Sequence, residues 1–401
     1  MAARVSPTPR RRPSTPTLCT PNVIQHFRPS SEKPVALAWS LEGSFLAVAV
    51  QNGPILLLYV LPTKQGALRV NPIRTYRGHT ADVLHMCFSR TNFLLSASMD
   101  HCVRLWHTDT ALCLRRFVHP DMVTTVAFHP RNENYVISGG CDGTARIWRP
   151  ADHACVAQTD VNAVITAAQF CGEGKRAYLG TYDGRLLVLD VREATQTPGE
   201  NANNQEDLQR SFGALVPVRK ADDKLHVAPL LKVGRSVNLR VHRRKRRKPG
   251  AKVTALALDA GCKRTMALCS DGRLHVVEGD GEPYGRFKAG ARKEGVPLGS
   301  STSVDGRWLL VDGVGSAVRI MDVHRVGSSS KSGRHGKNGG ITVERLQVME
   351  QAQVTCAALA TKGVLEHGGV EDVERTLVMA VGGDDGSLRI VSCLYDVDVD
   401  A

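Results

Sequence analysis

Apolar residues fall in runs of five to eight along most of the chain, broken by short polar clusters. That length and its period of two fit half-buried strands better than helices. Phe45 to Leu61 shows the unit clearly: two apolar runs flank Gln51-Asn52-Gly53-Pro54, and Asn-Gly is a strong hairpin signal. Comparable turns recur at Asp100, Asp142, Asp183, Asp271, a degenerate Gly315, and Asp385, so the intervals are 48, 42, 41, 88, 44 and 70 residues. The shorter intervals match the roughly 40–45-residue period of propeller blades. Seven turns predict an all-β, seven-bladed β-propeller over residues 23–397, with the first blade over Val35 to Tyr59. The two long intervals place insertions at about 193–230 and in the stretches 325–342 and 361–375. Val23 to Phe27 is the expected strand that completes the last blade and closes the ring, because an open ring would leave exposed sheet edges. Residues 1–22, rich in Pro, Ser, Thr and Arg, predict a disordered tail. Polar residues 201–210 and the Gly/Ser/Lys stretch 327–340 predict loops.

Two of the units share a polar set. His79, Ser96, Asp100 and Trp106 recur as His119, Ser138, Asp142 and Trp148, with the same Ser–Asp and Asp–Trp spacing. A His, a Ser and an Asp together invite a catalytic reading, but an enzyme has no need of two identical triads one blade apart. A hydrogen-bonded network that satisfies buried polar groups and ties strand to strand explains the repetition. At the Trp position the other units carry Leu58, Leu189, Val277, Met321 and Val391, which predicts that those blades rely on apolar packing alone. Phosphate loops, H-E-x-x-H and G-x-S-x-G are all missing from the sequence. The expectation is a non-enzyme without cofactor, metal or small-molecule substrate.

These residues resemble the WD-repeat β-propeller family, although the tryptophans read Trp106-His107 and Trp148-Arg149 rather than Trp-Asp. Within it, Gly78-His79-Thr80-Ala81-Asp82, Val103-Arg104-Leu105-Trp106-His107, Ala127-Phe128-His129-Pro130 and Gly180-Thr181-Tyr182-Asp183-Gly184-Arg185 are similar to a rabphilin-like, endosome-associated subgroup. The resemblance is strong over roughly residues 34–192. It implies a non-catalytic interaction scaffold, a membrane-trafficking adaptor that binds a small Rab-type GTPase. Members of that subgroup carry a long polar region ahead of the propeller, whereas about 33 residues stand there here. A substrate receptor for a ubiquitin ligase is a lesser alternative, since Leu189-Asp190-Val191-Arg192 lacks the Trp of the usual Trp-Asp-x-Arg.

Charge changes this picture at one place. The net charge of +13 is carried by residues 1–33 and 240–252, which leaves the remainder neutral. Arg243-Arg244-Lys245-Arg246-Arg247-Lys248 forms a basic loop suited to anionic lipid, nuclear import or nucleic acid. Residues 235–252 hold no aromatic side chain on which bases would stack, so nucleic acid ranks below lipid, and a nuclear or RNA-associated scaffold is the alternative function. Eleven cysteines without a C-x-x-C pair point to a reducing compartment. No apolar segment follows the basic N-terminal residues as a secretory signal would require. The expected location is cytoplasmic, with endomembrane association or nuclear entry through the basic loop.

The repeat also locates a partner surface. The loop bearing each His and the turn bearing each Asp must share one end of the ring. Asp82, Leu84 and Met99, then Met122, Thr124 and Cys141, then Val164, Thr166 and Tyr182 flank these positions in blades two to four. Leu84, Met99, Met122, Val164 and Tyr182 are the expected exposed apolar groups, with Asp82 at the rim, an arrangement suited to a protein interface.

Overall fold

A computed structural model describes residues 21–62, 68–91, 93–171, 174–191, 233–238, 251–258, 264–278, 282–288, 300–302, 307–323, 343–350, 352–360 and 376–394. Residues 1–20 of the expected tail, the three insertions and Arg243 to Lys248 lie outside these residues, whereas Asn22, expected in the tail, opens the first strand. The described residues form seven four-stranded antiparallel sheets. Strand β1 (Asn22–Phe27) precedes blade one, which is β2 (Pro34–Trp39), β3 (Phe45–Val50), β4 (Ile55–Pro62) and β5 (Leu68–Tyr76). Blade two is β6 (Val83–Phe88), β7 (Phe93–Ser98), β8 (Cys102–His107) and β9 (Cys113–Val118). Blade three is β10 (Val123–Phe128), β11 (Val136–Gly140), β12 (Thr144–Arg149) and β13 (Ala154–Asp160). Blade four is β14 (Ile165–Cys171), β15 (Arg176–Thr181), β16 (Arg185–Asp190) and β17 (Val233–Asn238). Blade five is β18 (Val253–Leu258), β19 (Arg264–Cys269), β20 (Arg273–Glu278) and β21 (Pro283–Lys288). Blade six is β22 (Ser300–Thr302), β23 (Trp308–Val314), β24 (Ala317–Asp322) and β25 (Val343–Gln347). Blade seven is β26 (Val354–Leu359), β27 (Thr376–Gly383) and β28 (Leu388–Leu394), completed by β1, which pairs with β28 from Asn22↔Ser392 to Phe27↔Leu388.

The molecule is thus a seven-bladed β-propeller. Inner strands β2, β6, β10, β14, β18, β22 and β26 touch in succession and return to β2. Blade one extends beyond the expected Tyr59, because its outer strand β5 follows residues 63–67. Asn71-Pro72 and the partly exposed residues up to Thr75 interrupt the alternation of that strand, although Leu68, Val70 and Tyr76 are buried. The core is divided among the seams, with one apolar cluster between each pair of neighbouring blades. A blade therefore buries its faces only by stacking on its neighbours, as a repeat architecture requires.

The inner strands share one irregularity. In β2, β6, β10, β14, β18 and β26 the pairing register shifts one residue in, so Val35, Leu84, Thr124, Thr166, Thr254 and Thr355 are bulged. A bulge leaves its extra residue unpaired and re-aims the side chain. Thr124 Oγ1 lies 2.5 Å from Ile165 O, Thr166 Oγ1 lies 2.5 Å from Val253 O, and Thr355 Oγ1 lies 2.6 Å from Pro34 O. Each hydroxyl donates across a seam to the next inner strand, and the last of them crosses the closing seam.

Candidate functional site

One backbone hydrogen bond recurs around the ring. The N–H before each turn donates to the carbonyl that precedes the inner strand: Gln51 to Lys33, Met99 to Asp82, Cys141 to Met122, Tyr182 to Val164, Ser270 to Lys252 and Asp384 to Gln353, at 2.8–2.9 Å. It pins the turn between second and third strands to the connection leading into the blade, so both lie at one end of the ring. The connections between first and second, and between third and fourth, strands lie at the other end, because the strands alternate in direction. After each turn Asp the backbone takes φ of 66° at His101 and of 71–81° at Gly143, Gly184, Gly272 and Gly386, a region that glycine enters without steric cost.

On that face Leu84 and Met99 are each 39% exposed and Tyr182 is 62% exposed. Met122 and Val164 are half-buried, contrary to the expectation from the sequence, as is Cys141. Their backbones are drawn in by the carbonyl each gives to the turn, and a Cβ on Gly140 would stand 2.2 Å from Met122 O. Thr124 and Thr166 are engaged across the seams by their hydroxyls. Asp82 is half-buried and accepts a hydrogen bond from the Asn52 N–H at 2.5 Å, so it ties blade one to blade two. Burial, followed by the nearby carboxylates Asp121 and Asp142, pushes the Cys141 thiol up from its ordinary value. The Lys252 ammonium stands 5.7 Å from the centre of the Tyr182 ring, within cation–π range.

Behind this face lie the two polar sets. In blade two, His79 Nδ1 is 2.7 Å from Asp100 Oδ2, His79 Nε2 is 2.7 Å from Ser96 Oγ, and Trp106 Nε1 donates to Ser96 Oγ at 2.8 Å. An ionised carboxylate only accepts, so Nδ1–H donates to Asp100 and Nε2 accepts from the serine. In blade three, His119 Nε2 is 2.8 Å from Ser138 Oγ and Trp148 Nε1 donates to Ser138 Oγ at 2.7 Å. Here Arg146 enters: its Nη1 lies 2.8 Å from His119 Nδ1 and 2.5 Å from Asp142 Oδ2, which leaves His119 Nδ1 3.5 Å from the carboxylate. A guanidinium cannot accept, so His119 Nδ1 is the acceptor and Nε2 carries the proton. Burial opposes ionisation of Asp142, but the hydrogen bonds from the Arg146 guanidinium and the Thr144 N–H outweigh it and hold the carboxyl at about 2. Burial lowers His119 below the usual imidazole value.

Both sets bind strand to strand and leave no open position for a reacting atom. Among the described residues no group of three His, Cys, Asp or Glu side chains is placed to hold a metal ion. The expectation of purely apolar packing in the other blades needs correction. Trp39 Nε1 donates to Ala358 O at 3.2 Å across the closing seam, and Asp183 in blade four accepts from Thr181 Oγ1 at 2.5 Å and Arg185 Nε at 2.7 Å. The buried Trp39 indole N–H demands a partner, and the partly exposed Asp183 is paired as well, so polar ties persist without the full set. On the opposite face, Thr91 Oγ1 donates to Glu133 Oε2 at 2.8 Å and His129 Nε2 to Gly174 O at 3.2 Å, which links loops of blades two, three and four. The sequence held a signal for the seam-crossing hydroxyls that went unread, a threonine in the second position of β10, β14, β18 and β26.

Comparison with known proteins agrees with this architecture. The family model "WD domain, G-beta repeat" matches residues 70–107 and 111–149. The chain is similar to WD repeat-containing protein 44 of Xenopus laevis, 45% identical over 161 residues, which cover 39% of this chain and 18% of that protein. It is also similar to an uncharacterized WD repeat-containing protein of Schizosaccharomyces pombe, 31% identical over 130 residues, covering 32% of this chain and 22% of that protein. With the 2-deoxy-glucose resistant protein 2 of Saccharomyces cerevisiae it shares 33% identity over 117 residues, 29% of this chain and 14% of the relative. The matches thus span about a fifth of these relatives or less. The chain carries WD repeats, resembles WD repeat-containing protein 44 over part of its length, and has the fold of a protein-interaction scaffold.

Proposed function

We propose that this WD-repeat propeller is a membrane-trafficking adaptor that captures a small Rab-type GTPase on the face formed by the turns and the incoming connections, on the cytoplasmic side of endomembranes. The carrying observation is that Leu84, Met99 and Tyr182 are large apolar or aromatic groups exposed on a single face. Apolar and aromatic groups, methionine included, are enriched at interface cores, and methionine adapts its shape to a partner. The Rab class of partner rests on the resemblance of roughly residues 34–192 to the rabphilin-like subgroup, with which the 45% identity to WD repeat-containing protein 44 over 161 residues agrees. No chemistry is assigned, because the His, Ser and Asp of each set are engaged in structural hydrogen bonds, in blade three through Arg146.

A pull-down of purified Rab proteins, each loaded with GTP or GDP, tests the reading. The wild-type chain is expected to retain one or a few of the GTP-loaded forms. The triple variant Leu84→Asp, Met99→Asp, Tyr182→Ala is expected to lose them with little change in melting temperature, since all three side chains project from the surface. Equal capture by the triple variant refutes the assignment of this face.

A further inference from the structure

Charge and aromaticity meet at one sector of the partner face, between blades four and five. Tyr182 is the most exposed of the large hydrophobic side chains of the described residues, at 62%. Lys252 leads into β18 and is fixed there by the bond from Ser270 N–H to its carbonyl, with its ammonium 5.7 Å from the Tyr182 ring. The nearest carboxylate on the same turn, Asp183, is matched by Arg185 at 2.7 Å. The connection that ends at Lys252 begins at Asn238, the last residue of β17. Both ends therefore belong to this face, and the intervening sequence carries Arg240 and the run Arg243 to Lys248 with no acidic residue. By contrast, 193–230 and 325–342 connect third to fourth strands and 361–375 connects first to second, so these insertions depart from the opposite face.

We infer that the sector around Tyr182 and Lys252 docks on an anionic lipid surface, so that the face which captures the protein partner is turned toward the membrane and the opposite face of the ring away from it. The inference deepens the proposed function and takes from it only the choice of face. A cation beside an exposed tyrosine suits the headgroup level, where amphipathic rings settle at the boundary between water and hydrocarbon. Basic residues held near an anionic leaflet add attraction that decays within a Debye length. Neither signal alone gives stable attachment, and peripheral proteins commonly combine two. Nucleic acid is the poorer fit. A single-strand platform needs successive aromatic groups, whereas Tyr182 stands with no second aromatic in residues 235–252. The occupants adjoin on the face: Leu84 and Met99 of blade two meet the protein, Lys252 meets the lipid, and Tyr182 lies at their boundary.

Tryptophan fluorescence on the full chain tests this without any GTPase. The four native tryptophans, Trp39, Trp106, Trp148 and Trp308, are 8%, 1%, 6% and 2% exposed, so they form a constant background. A Tyr182→Trp variant reports this face, and a Leu41→Trp variant, in the β2–β3 connection, reports the opposite one. Vesicles of phosphatidylcholine and phosphatidylserine doped with a doxyl-labelled lipid should quench the first probe and leave the second unchanged. Vesicles of phosphatidylcholine alone should quench neither. Lys252→Gln should weaken vesicle binding about fivefold and replacement of Arg243 to Lys248 by glutamine at least tenfold, at about one charge's attraction per residue; added salt should erase these differences. Quenching of the Leu41 probe, quenching of neither probe, or binding of a labelled RNA oligonucleotide in place of vesicles overturns the inference. Because the vesicles carry no protein, failure here leaves GTPase capture standing, and failure of capture leaves this result standing.

Discussion

Blades two and three hold the same four side chains, with the same Ser–Asp and Asp–Trp spacing, yet they are wired in opposite senses. In blade two every donor points one way, from Trp106 through Ser96 and His79 to Asp100. In blade three Arg146 separates His119 from Asp142 and reverses the tautomer, so that Ser138 accepts from both the imidazole and the indole. The residue equivalent to Arg146 is Arg104, whose guanidinium instead lies over the Trp106 ring at 5.7 Å, with Nη1 3.5 Å from Cys113 Sγ. The residue before the His explains the difference. Gly78 leaves room, since a Cβ there would stand 3.1 Å from Arg104 Nη1 and 3.2 Å from the Trp106 ring, whereas blade three has Val118 in that place. A single missing side chain one strand away thus decides which partner an imidazole holds.

The largest expected effect tests whether the two networks are equivalent anchors. Trp148→Ala should cost about 3–5 kcal/mol, from loss of a large buried aromatic and of the donor to Ser138. Trp106→Ala should match it, because both rings fill seam clusters. Leu189→Ala, at the same position in a blade without the full set, should cost less in thermal or denaturant melts. A larger loss for Leu189→Ala would mean that the polar sets contribute little.

Of intermediate size is the effect of the arginines. Arg146→Met should cost about 1–3 kcal/mol, because it strips a buried carboxylate of a charged donor, while Arg104→Met should cost under about 1 kcal/mol, since removal of its half-exposed guanidinium leaves the His79–Asp100 pair intact. Nitrogen-15 spectra of the imidazoles give the sharper measurement. His79 should show a protonated Nδ1 and His119 a protonated Nε2, and Arg146→Met should convert His119 to the pattern of His79. Identical tautomers in the wild-type protein would dissolve the distinction between the blades.

The smallest effects appear on acidification. Burial lowers His119 below its ordinary value and lowers His129 and His275 to about 4. The unfolded chain takes up these protons first, near the unperturbed histidine value of about 6.5, so stability should decline between about 6.5 and 4. Asp142 is depressed to about 2. Its contribution is fully present above the unfolded value of about 3.9 and is lost as pH falls from there toward 2. Melting temperature against pH should therefore fall in two stages, and His129→Gln should shrink the first and spare the second.

Much of this architecture can be read directly from the residues. The seven turns, the closing strand and both polar sets are marked by side chains that tolerate few substitutes: Asn-Gly, the turn Asp, and a Trp whose N–H must find a partner. The outer strands are far less legible. Strand β5 buries Leu68, Val70 and Tyr76 but loses the alternation in between, at Asn71 to Thr75, and β17 stands beyond a long insertion. On the face formed by the turns and the incoming connections, Leu84, Met99 and Tyr182 could be placed by counting from the repeat. The inward pull on Met122 and Val164 depends on backbone bonds that no side chain announces. Arg146 was equally opaque, because Arg104 has the same place in the repeat and a different neighbour.

The pairing of β1 with β28 sets a clock on the birth of the molecule. Asn22 leaves the ribosome long before Ser392, the residue it pairs with. At about 5–20 residues per second, the first strand waits roughly 20–70 s for its partner. Through that interval blade seven lacks its outer strand, the Thr355 and Trp39 bonds across the closing seam are unmade, and the faces they cover stand open. Six blades can stack as they emerge, but circular order arrives in a single late event that joins β1 to β28. The arc that precedes it, with the closing seam uncovered, is the species most open to misassembly.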